Sequence, residues 1–274
     1  MPAPRNYQTE AVIIKKTKLK EADNILTLYT PHLGKIQGIA KGVRRTKAKL
    51  AGHLELLTHS QVSFARGRNL DTITGAQTIN TFLPLKSDLW LTSCALYAIE
   101  LINQFTPEHV ENHPLFQLLL ETMEYLCQPT SKDLALRYFE IHLLNNVGYR
   151  PQLQQCVTCR SPLQPVTNSF SPRAGGIVCP DCTYNHEGMT HPLSVNALKV
   201  LRLIQSSSYG TVSRLKMNPR LSQEVEDVIK SYIKYLLERE VKSIAWLDSL
   251  KEQINQMAPE QDNTPLEIPN SNPE

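Results

Sequence analysis

The sequence lacks any long hydrophobic run. No apolar stretch approaches the roughly 18–20 residues that a membrane-spanning helix needs, although 41% of the 274 residues are hydrophobic. The first ten residues are polar, contain two prolines and have no apolar core of the kind that marks a signal peptide. We therefore expect a cytoplasmic protein that does not bind a membrane.

Motifs that mark common catalytic and nucleotide-binding sites are also absent. Residues 34–42 contain three glycines but lack the Lys-Ser/Thr ending of a phosphate-binding loop, and G-x-G-x-x-G, H-E-x-x-H and G-x-S-x-G do not occur. The eight histidines show no convincing ligand spacing. We therefore expect a protein that acts by binding and is not an enzyme.

Acidic residues are scarce at the N-terminal end, where positive charge is concentrated. Residues 1–50 hold 11 Lys and Arg but only 3 Asp and Glu, so they carry +8 in a chain whose net charge is +3. Five of these cations fall within residues 41–49. Such asymmetry favours a module that binds a polyanion. A solvated basic face without a partner is the alternative.

Aromatic residues make up only 7% of the chain. The first 80 residues contain three of them, Tyr7, Tyr29 and Phe64, and each lies in an apolar pattern that favours the core over a stacking platform for bases. We therefore expect contacts mainly to phosphates, which tolerate any base sequence and weaken with salt.

The patterning changes near residue 80 from strands to helices. Short alternating runs, punctuated by glycine, predict five strands that form a small barrel or sandwich, at 11–16, 24–29, 35–40, 54–64 and 71–79. Helical spacing follows at 87–105, from Pro114, and after the capping residues Ser131 and Ser194, with one long amphipathic helix predicted over 222–257. The fold class predicted is α+β, in several domains.

Four of the six cysteines have metal-ligand spacing. Cys156, Cys159, Cys179 and Cys182 form C-x2-C-x19-C-x2-C, which predicts a structural four-thiolate zinc site. Redox-active pairs and an iron–sulfur cluster are the alternatives. Cys94 and Cys127 lie in apolar helical patterns and are expected to be small buried residues.

Several segments in order resemble one family of bacterial repair proteins. They are TEAVIIK (9–15), EADNILT (21–27), AKGVRR (40–45), FEIHLL (139–144) with GYRP (148–151), and GGIVC (175–179). Together with the cysteine pairs, they make residues 8–250 resemble the RecO family.

The resemblance implies an N-terminal OB-fold, a small β-barrel, over 1–80. It also implies an all-α body over 81–150 and 190–257, and a zinc-knuckle insertion over 151–189. The family binds single- and double-stranded DNA and anneals complementary strands. With RecR it helps RecA load onto DNA coated by single-stranded DNA-binding protein (SSB). The protein is then expected on the nucleoid.

The resemblance also implies which residues carry these functions. The family's basic barrel surface falls on Lys35, Lys41, Arg44 and Arg45, and we add Lys47 and Lys49 from the charge cluster. The family's Zn²⁺ ligands fall on the four paired cysteines. Three arginines around the zinc insertion are candidates for a second strand, with ordinary solvated arginines as the alternative: Arg150, Arg160 and Arg173.

The C-terminal residues 258–274 hold four acids, four prolines and no Lys or Arg, so we expect a disordered acidic tail. One hypothesis is that this tail folds back on a basic surface and competes with DNA or SSB; an inert tail is the alternative. Two other classes of function stay open for the whole chain. One is a zinc-dependent adaptor whose basic barrel binds an acidic protein segment, and the other is an enzyme that acts on nucleic acid.

Overall fold

The computed structural model describes residues 5–128, 131–238 and 241–257. Strands come first in the chain and helices dominate the rest, which confirms the α+β class. The strands are β1 (Asn6–Lys18), β2 (Asn24–Thr30), β3 (Gly34–Ala40), β4 (His59–Ala65), β5 (Asp71–Asn80), β6 (Asn168–Ser171), β7 (Gly176–Val178) and β8 (His191–Leu193). The helices are α1 (Leu83–Ser87), α2 (Leu89–Phe105), α3 (His113–Cys127), α4 (Lys132–Asn146), α5 (Pro180–Thr183), α6 (Val195–Ser206), α7 (Tyr209–Val212), α8 (Pro219–Leu237) and α9 (Lys242–Met257).

The first five strands form a closed sheet in the order β1-β2-β3-β5-β4. Closure depends on the 13-residue strand β1, whose first half pairs with β4 and whose second half pairs with β2. An irregularity between Ile13 and Lys15 bends β1 where it changes partner. A separate apolar core fills the sheet and includes Ile13, Leu28 and Phe64. Because the sheet closes, these strands leave no open edge.

The strand predicted at 54–64 begins later than the pattern indicates. Residues Gly52–Leu54 form a 3₁₀ turn, and Leu57 has a φ of +61°, which no strand residue adopts. Leu54 and Leu57 are buried all the same, so their apolar character reflects packing of the loop on the core. The pairing strand β4 therefore starts at His59.

The predicted helix starts at Ser131 and Ser194 are confirmed. The Ser131 hydroxyl accepts the backbone N–H of Leu134, and the Ser194 hydroxyl accepts that of Ala197. The single helix predicted over 222–257 is wrong, because two helices, α8 and α9, replace it. Glu238 at the end of α8 has a φ of +51°, a left-handed conformation that stops the helix.

The barrel packs directly against the helices. Gly34 has a φ of +62° and lies so close to Val110 that a Cβ would meet the Val110 carbonyl oxygen at 2.1 Å. The backbone N–H of His109 donates to the Lys35 carbonyl at 3.0 Å. The ring of Phe116 on α3 lies 6.3 Å from that of Tyr29 in the barrel. These contacts fix the orientation of the barrel on the helices.

A charged cluster is buried between the helices. Arg137 on α4 is 3% exposed and lies 3.0 Å from the fully buried carboxylate of Glu140, which also accepts the Tyr97 hydroxyl at 2.6 Å. Burial raises the pKa of Glu140, while Arg137 and the Tyr97 hydroxyl oppose that rise. Burial would also raise the pKa of Glu226 on α8, but Arg137, Lys230 and Lys251 bring it down to about 2. The cluster thus joins α2, α4, α8 and α9.

Replacing Arg137 with alanine should cost about 3–5 kcal/mol of unfolding free energy, because the fully buried Glu140 loses its cation and must either stay charged or take up a proton. The double variant R137M/E140L removes both charges at similar volume and should be clearly more stable than R137A. Urea unfolding followed by circular dichroism measures both values. Equal losses in the two variants would contradict this account of the cluster.

Candidate nucleic-acid interface and metal centre

Two loops that carry cations meet at the end of β3. On one side, the first residues of β2 pair with the last residues of β3, so the loop 19–23 lies beside Ala40. On the other side, β5 runs parallel to β3 and begins opposite Gly38, which brings the loop 66–70 to the same place. The chain leaves β3 between these loops with Lys41.

We call the exposed cations around the end of β3 the basic rim. Its members come from the two loops, from the last residue of β1 and from the segment 41–49: Lys18, Lys20, Lys41, Arg44, Arg45, Lys47, Lys49, Arg66 and Arg68. All nine residues are exposed. Five of the six residues expected from the sequence to bind DNA belong to this rim.

Two of the acids near the basic rim, Asp23 and Asp71, hold loops in place, whereas Glu21 is exposed beside Lys20. The Asp23 carboxylate accepts the backbone N–H of Gly42 at 2.7 Å. The Asp71 carboxylate accepts the backbone N–H of Gly67 at 2.9 Å and the hydroxyl of Tyr7 at 2.7 Å. Because these carboxylates are engaged with the backbone and with Tyr7, they order the loops that carry the cations.

The segment 41–49 is a series of turns. The Arg44 N–H donates to the Ala22 carbonyl at 3.1 Å, and the Arg44 guanidinium donates to the Lys20 carbonyl at 3.3 Å. Val43 is buried and anchors the segment on the barrel core. Gly42, with a φ of +65°, makes the bend that starts the turns. The cations therefore project from a backbone with defined anchors.

Lys35 lies apart from the basic rim. Its side chain is buried against α2, where Nζ donates to the Asn103 carbonyl at 2.6 Å. Burial lowers the pKa of Lys35, and Glu108 opposes that fall. A lysine in this position holds β3 against the helices, so we leave it out of the DNA surface proposed below.

Sequence reasoning did not nominate four members of the basic rim. Lys18 is the last residue of β1, Lys20 lies in the loop between β1 and β2, and Arg66 and Arg68 lie in the loop between β4 and β5. The signal available was the R-G-R sequence between two predicted strands. Only the pairing of β5 with β3, across more than 30 residues of sequence, brings that loop to the others.

The barrel aromatics are packed as the sequence predicts. Tyr29 and Phe64 are fully buried. Tyr7 is half-buried, stacks on Phe64 with ring centroids 5.0 Å apart, and has the Arg66 guanidinium 5.2 Å from its own ring. Burial and the hydrogen bond to Asp71 raise the pKa of Tyr7. Its ring is therefore engaged on both sides, by Phe64 and by Arg66.

The four paired cysteines converge on one point. Their sulfur atoms all lie within 4.8 Å of one another, and Cys159 and Cys179 are 3.8 Å apart. Cys156 and Cys159 lie in a turn after α4, whereas Cys179 and Cys182 flank the start of the short helix α5. The small sheet β7-β6-β8 supports both pairs. Four sulfurs at this spacing can hold one metal ion.

The surroundings of these thiols shift their pKa values in opposite directions. Burial would raise the pKa of Cys156, but backbone N–H groups of Cys159, Cys179 and Thr158 lower it to about 6. The pKa of Cys182 is raised to about 12, mainly by its hydrogen bond with Cys179 and to a smaller extent by burial. Four thiolates this close repel one another, so a cation is needed for all four to lose their protons.

The three arginines considered for a second strand are all exposed. Arg173 lies 3.6 Å from the Glu187 carboxylate, which compensates part of its charge. Arg160 directly follows the ligand-type residue Cys159, and Arg150 follows α4. Their role in binding a second strand stays a prediction.

Among the described residues, no helix combines the length and apolar character needed to cross a membrane. The other two cysteines lie away from the four-sulfur cluster: Cys94 is buried, as expected, and Cys127 is half-buried.

Comparison with known proteins defines the class of this chain. The family described as Recombination protein O N terminal matches residues 3–82, and that described as Recombination protein O C terminal matches residues 86–245. The chain therefore belongs to the RecO family of DNA repair proteins, as the resemblance indicated.

Individual relatives carry the same name over nearly their whole length. The chain is 49% identical over 251 residues to the DNA repair protein RecO of Dehalococcoides mccartyi strain CBDB1, covering 92% of this chain and 98% of the relative. It is 38% identical to the protein of that name from Roseiflexus sp. strain RS-1, in a match that covers 93% of this chain and 89% of the relative. It is 30% identical to the RecO protein of Symbiobacterium thermophilum, in a match that covers 89% of this chain and 98% of the relative.

Proposed function

We propose that this chain is a DNA-binding recombination mediator that acts without catalysis. It binds single- and double-stranded DNA through the basic rim and anneals complementary strands. The observation that carries the proposal is the convergence of nine exposed cations from three separate stretches of chain on one end of the barrel. Cations on anchored loops neutralise phosphates without reading bases, and the release of counterions supplies the affinity.

The barrel fits an OB-fold in this proposal. A five-stranded Greek-key barrel of that class binds nucleic acid on strands 2 and 3 and on the loops between strands 1 and 2 and between strands 4 and 5. The basic rim occupies those two loops and the end of β3. The proposed domains are the barrel at 1–80, the helical body at 81–150 and 190–257, and the cysteine module at 151–189.

We propose zinc for the cysteine site. Four thiolates match the tetrahedral, sulfur-rich coordination that Zn²⁺ takes in structural sites, which leaves no position for a substrate. The module around the cysteines has few buried apolar residues, and those it has, among them Phe170 and Ile177, belong to the core of the helical body. The ion therefore stabilises a segment too small to hold its own core.

The proposed partners follow from the same role. Annealing brings two phosphate backbones together, and a cationic surface screens their repulsion. RecR and SSB are the protein partners proposed, so that RecA loads at single-stranded gaps. The place of action is the nucleoid in the cytoplasm.

Annealing of two complementary oligonucleotides tests this function. The wild-type chain should accelerate annealing at least about tenfold at low salt and lose the effect as salt increases. The acceleration should not require ATP or any other nucleotide. The variant R66E/R68E, in the loop that sequence reasoning missed, should lose most of the acceleration. The control K199E/R214E makes the same change in net charge at two exposed residues of the helical body and should keep the acceleration. Acceleration that depends on nucleotide hydrolysis or is insensitive to salt would refute the proposal.

A further inference from the structure

A groove opens in the helical body beside the end of α9. It has a volume of about 480 Å³ and is lined by Asp133 and Leu134 at the start of α4, by Lys216 and Met217 before α8, by Gln223 on α8 and by Lys251 on α9. Leu215 and Met217 are partly exposed and give the groove apolar surface among its polar lining residues.

The surroundings of the groove are positive. The segment 207–222 carries Arg214, Lys216 and Arg220, all exposed, and contains no acid. Of the groove's own charged residues, Lys251 lies 3.6 Å from Asp133 and 2.7 Å from Glu226. The first turns of α4 and α8 also face this region and add a modest positive potential. An acidic segment with apolar side chains has the chemistry that suits such a groove.

The direction of α9 brings the end of the described chain to this groove. Near the start of α9, the Ser243 N–H donates to Glu100, and the Trp246 indole donates to Ser93. Further along, Lys251 reaches Asp133 and Glu226. The helix therefore runs antiparallel to α2 and points past the start of α4. Lys251 lines the groove, and Met257 is only about 9 Å further along the helix axis.

The sequence that follows has the matching chemistry. Residues 258–274 contain four acids and no Lys or Arg, and their two large apolar residues, Leu266 and Ile268, are neighbours on either side of Glu267. An extended chain of nine residues spans up to about 30 Å. Leu266, nine residues beyond Met257, is therefore within reach of the groove.

We propose that residues 258–274 of the same chain occupy this groove, with Leu266 and Ile268 against Leu215 and Met217 and the acids beside Arg214, Lys216 and Arg220. The tethering keeps the tail at a high effective concentration, so modest contacts suffice. An acidic segment from another protein can then bind the groove only by displacing the tail. The tail is thus a built-in competitor at this surface.

Methyl NMR of the full chain tests the proposal, because Met217 lies in the groove. Chain labelled at the methionine methyls is compared with the full-length variant L266S/I268S. We expect the Met217 resonance to move by more than its line width, while those of Met123, which is buried, and Met189, which is 74% exposed elsewhere, stay in place. The control N270S/N272S changes only polar tail residues and should leave Met217 unmoved.

Two further measurements sharpen the result. High salt should move the wild-type Met217 resonance towards that of L266S/I268S, because screening weakens the contact between acids and cations. Tenfold dilution should change nothing if the tail of the same chain is the occupant. An identical Met217 resonance in wild type and L266S/I268S overturns the proposal, as does a difference that vanishes on dilution, which would make the occupant a second copy.

Discussion

Single-stranded DNA binding should weaken at least about a hundredfold in the variant K41E/R44E/R45E, because reversing three phosphate contacts replaces attraction with repulsion. All three residues are exposed members of the basic rim, so the fold should persist. Each phosphate contact on a single strand contributes about 0.7 to the slope of log affinity against log salt, so the slope should flatten by about 2. Fluorescence anisotropy of a labelled oligonucleotide across a salt series measures both quantities.

A variant with the same change in net charge is the control. R214E/K216E/R220E reverses three exposed cations on the helical body and should retain DNA affinity within about threefold. Equal losses in the two variants would mean that only net charge matters. If K41E/R44E/R45E bound as tightly as the wild type, the DNA surface would lie elsewhere, and Arg150, Arg160 and Arg173 would be the next residues to change. If the wild type bound no DNA, a protein adaptor would become the better reading of the basic barrel.

Replacing Cys179 with serine should remove the bound metal and disorder the two cysteine loops of the module at 151–189. The chain purified without added metal should contain about one zinc, because four thiolates complete one tetrahedral site. Zinc binding contributes about 10–16 kcal/mol of folding free energy in small zinc modules. Loss of the ion should therefore abolish the ordered structure of the cysteine loops rather than weaken it. Elemental analysis and amide hydrogen exchange measure the two effects.

Cys127 provides the matched control, since it lies outside the four-sulfur cluster. C127A should keep one zinc and normal exchange protection in the module. DNA affinity of C179S at low temperature should stay within about threefold of the wild type, because the basic rim belongs to a barrel with a core of its own. Stoichiometric zinc in C179S, or its loss in C127A, would refute the assignment of ligands.

Local signals predicted much of this structure. The helix caps at Ser131 and Ser194 and the spacing of the paired cysteines each depend on a few neighbouring residues. Such signals lie within a short stretch of sequence and can be recognised without knowledge of the tertiary fold. The break between α8 and α9 is different. The apolar spacing continues through it because both helices pack against the same helical core, and the left-handed conformation of Glu238 leaves no mark in the pattern.

The candidate DNA surface shows where sequence reasoning stops. The run of positive residues at 41–49 can be recognised in the sequence. The burial of Lys35 cannot, because it depends on which side of β3 meets α2. The participation of Arg66 and Arg68 depends on the parallel pairing of β5 with β3. Long-range pairings of this kind arise from closure of the sheet, which the strand pattern alone does not specify.

Lysine footprinting tests the central claim most directly, namely that DNA lies on the basic rim. The chain is acetylated briefly with and without a single-stranded oligonucleotide, and the modified lysines are quantified by mass spectrometry. We expect protection of Lys18, Lys20, Lys41, Lys47 and Lys49 at low salt, lost at high salt, with Lys199 and Lys216 equally reactive in both samples. Protection of Lys199 and Lys216 while the rim lysines stay reactive would contradict the account.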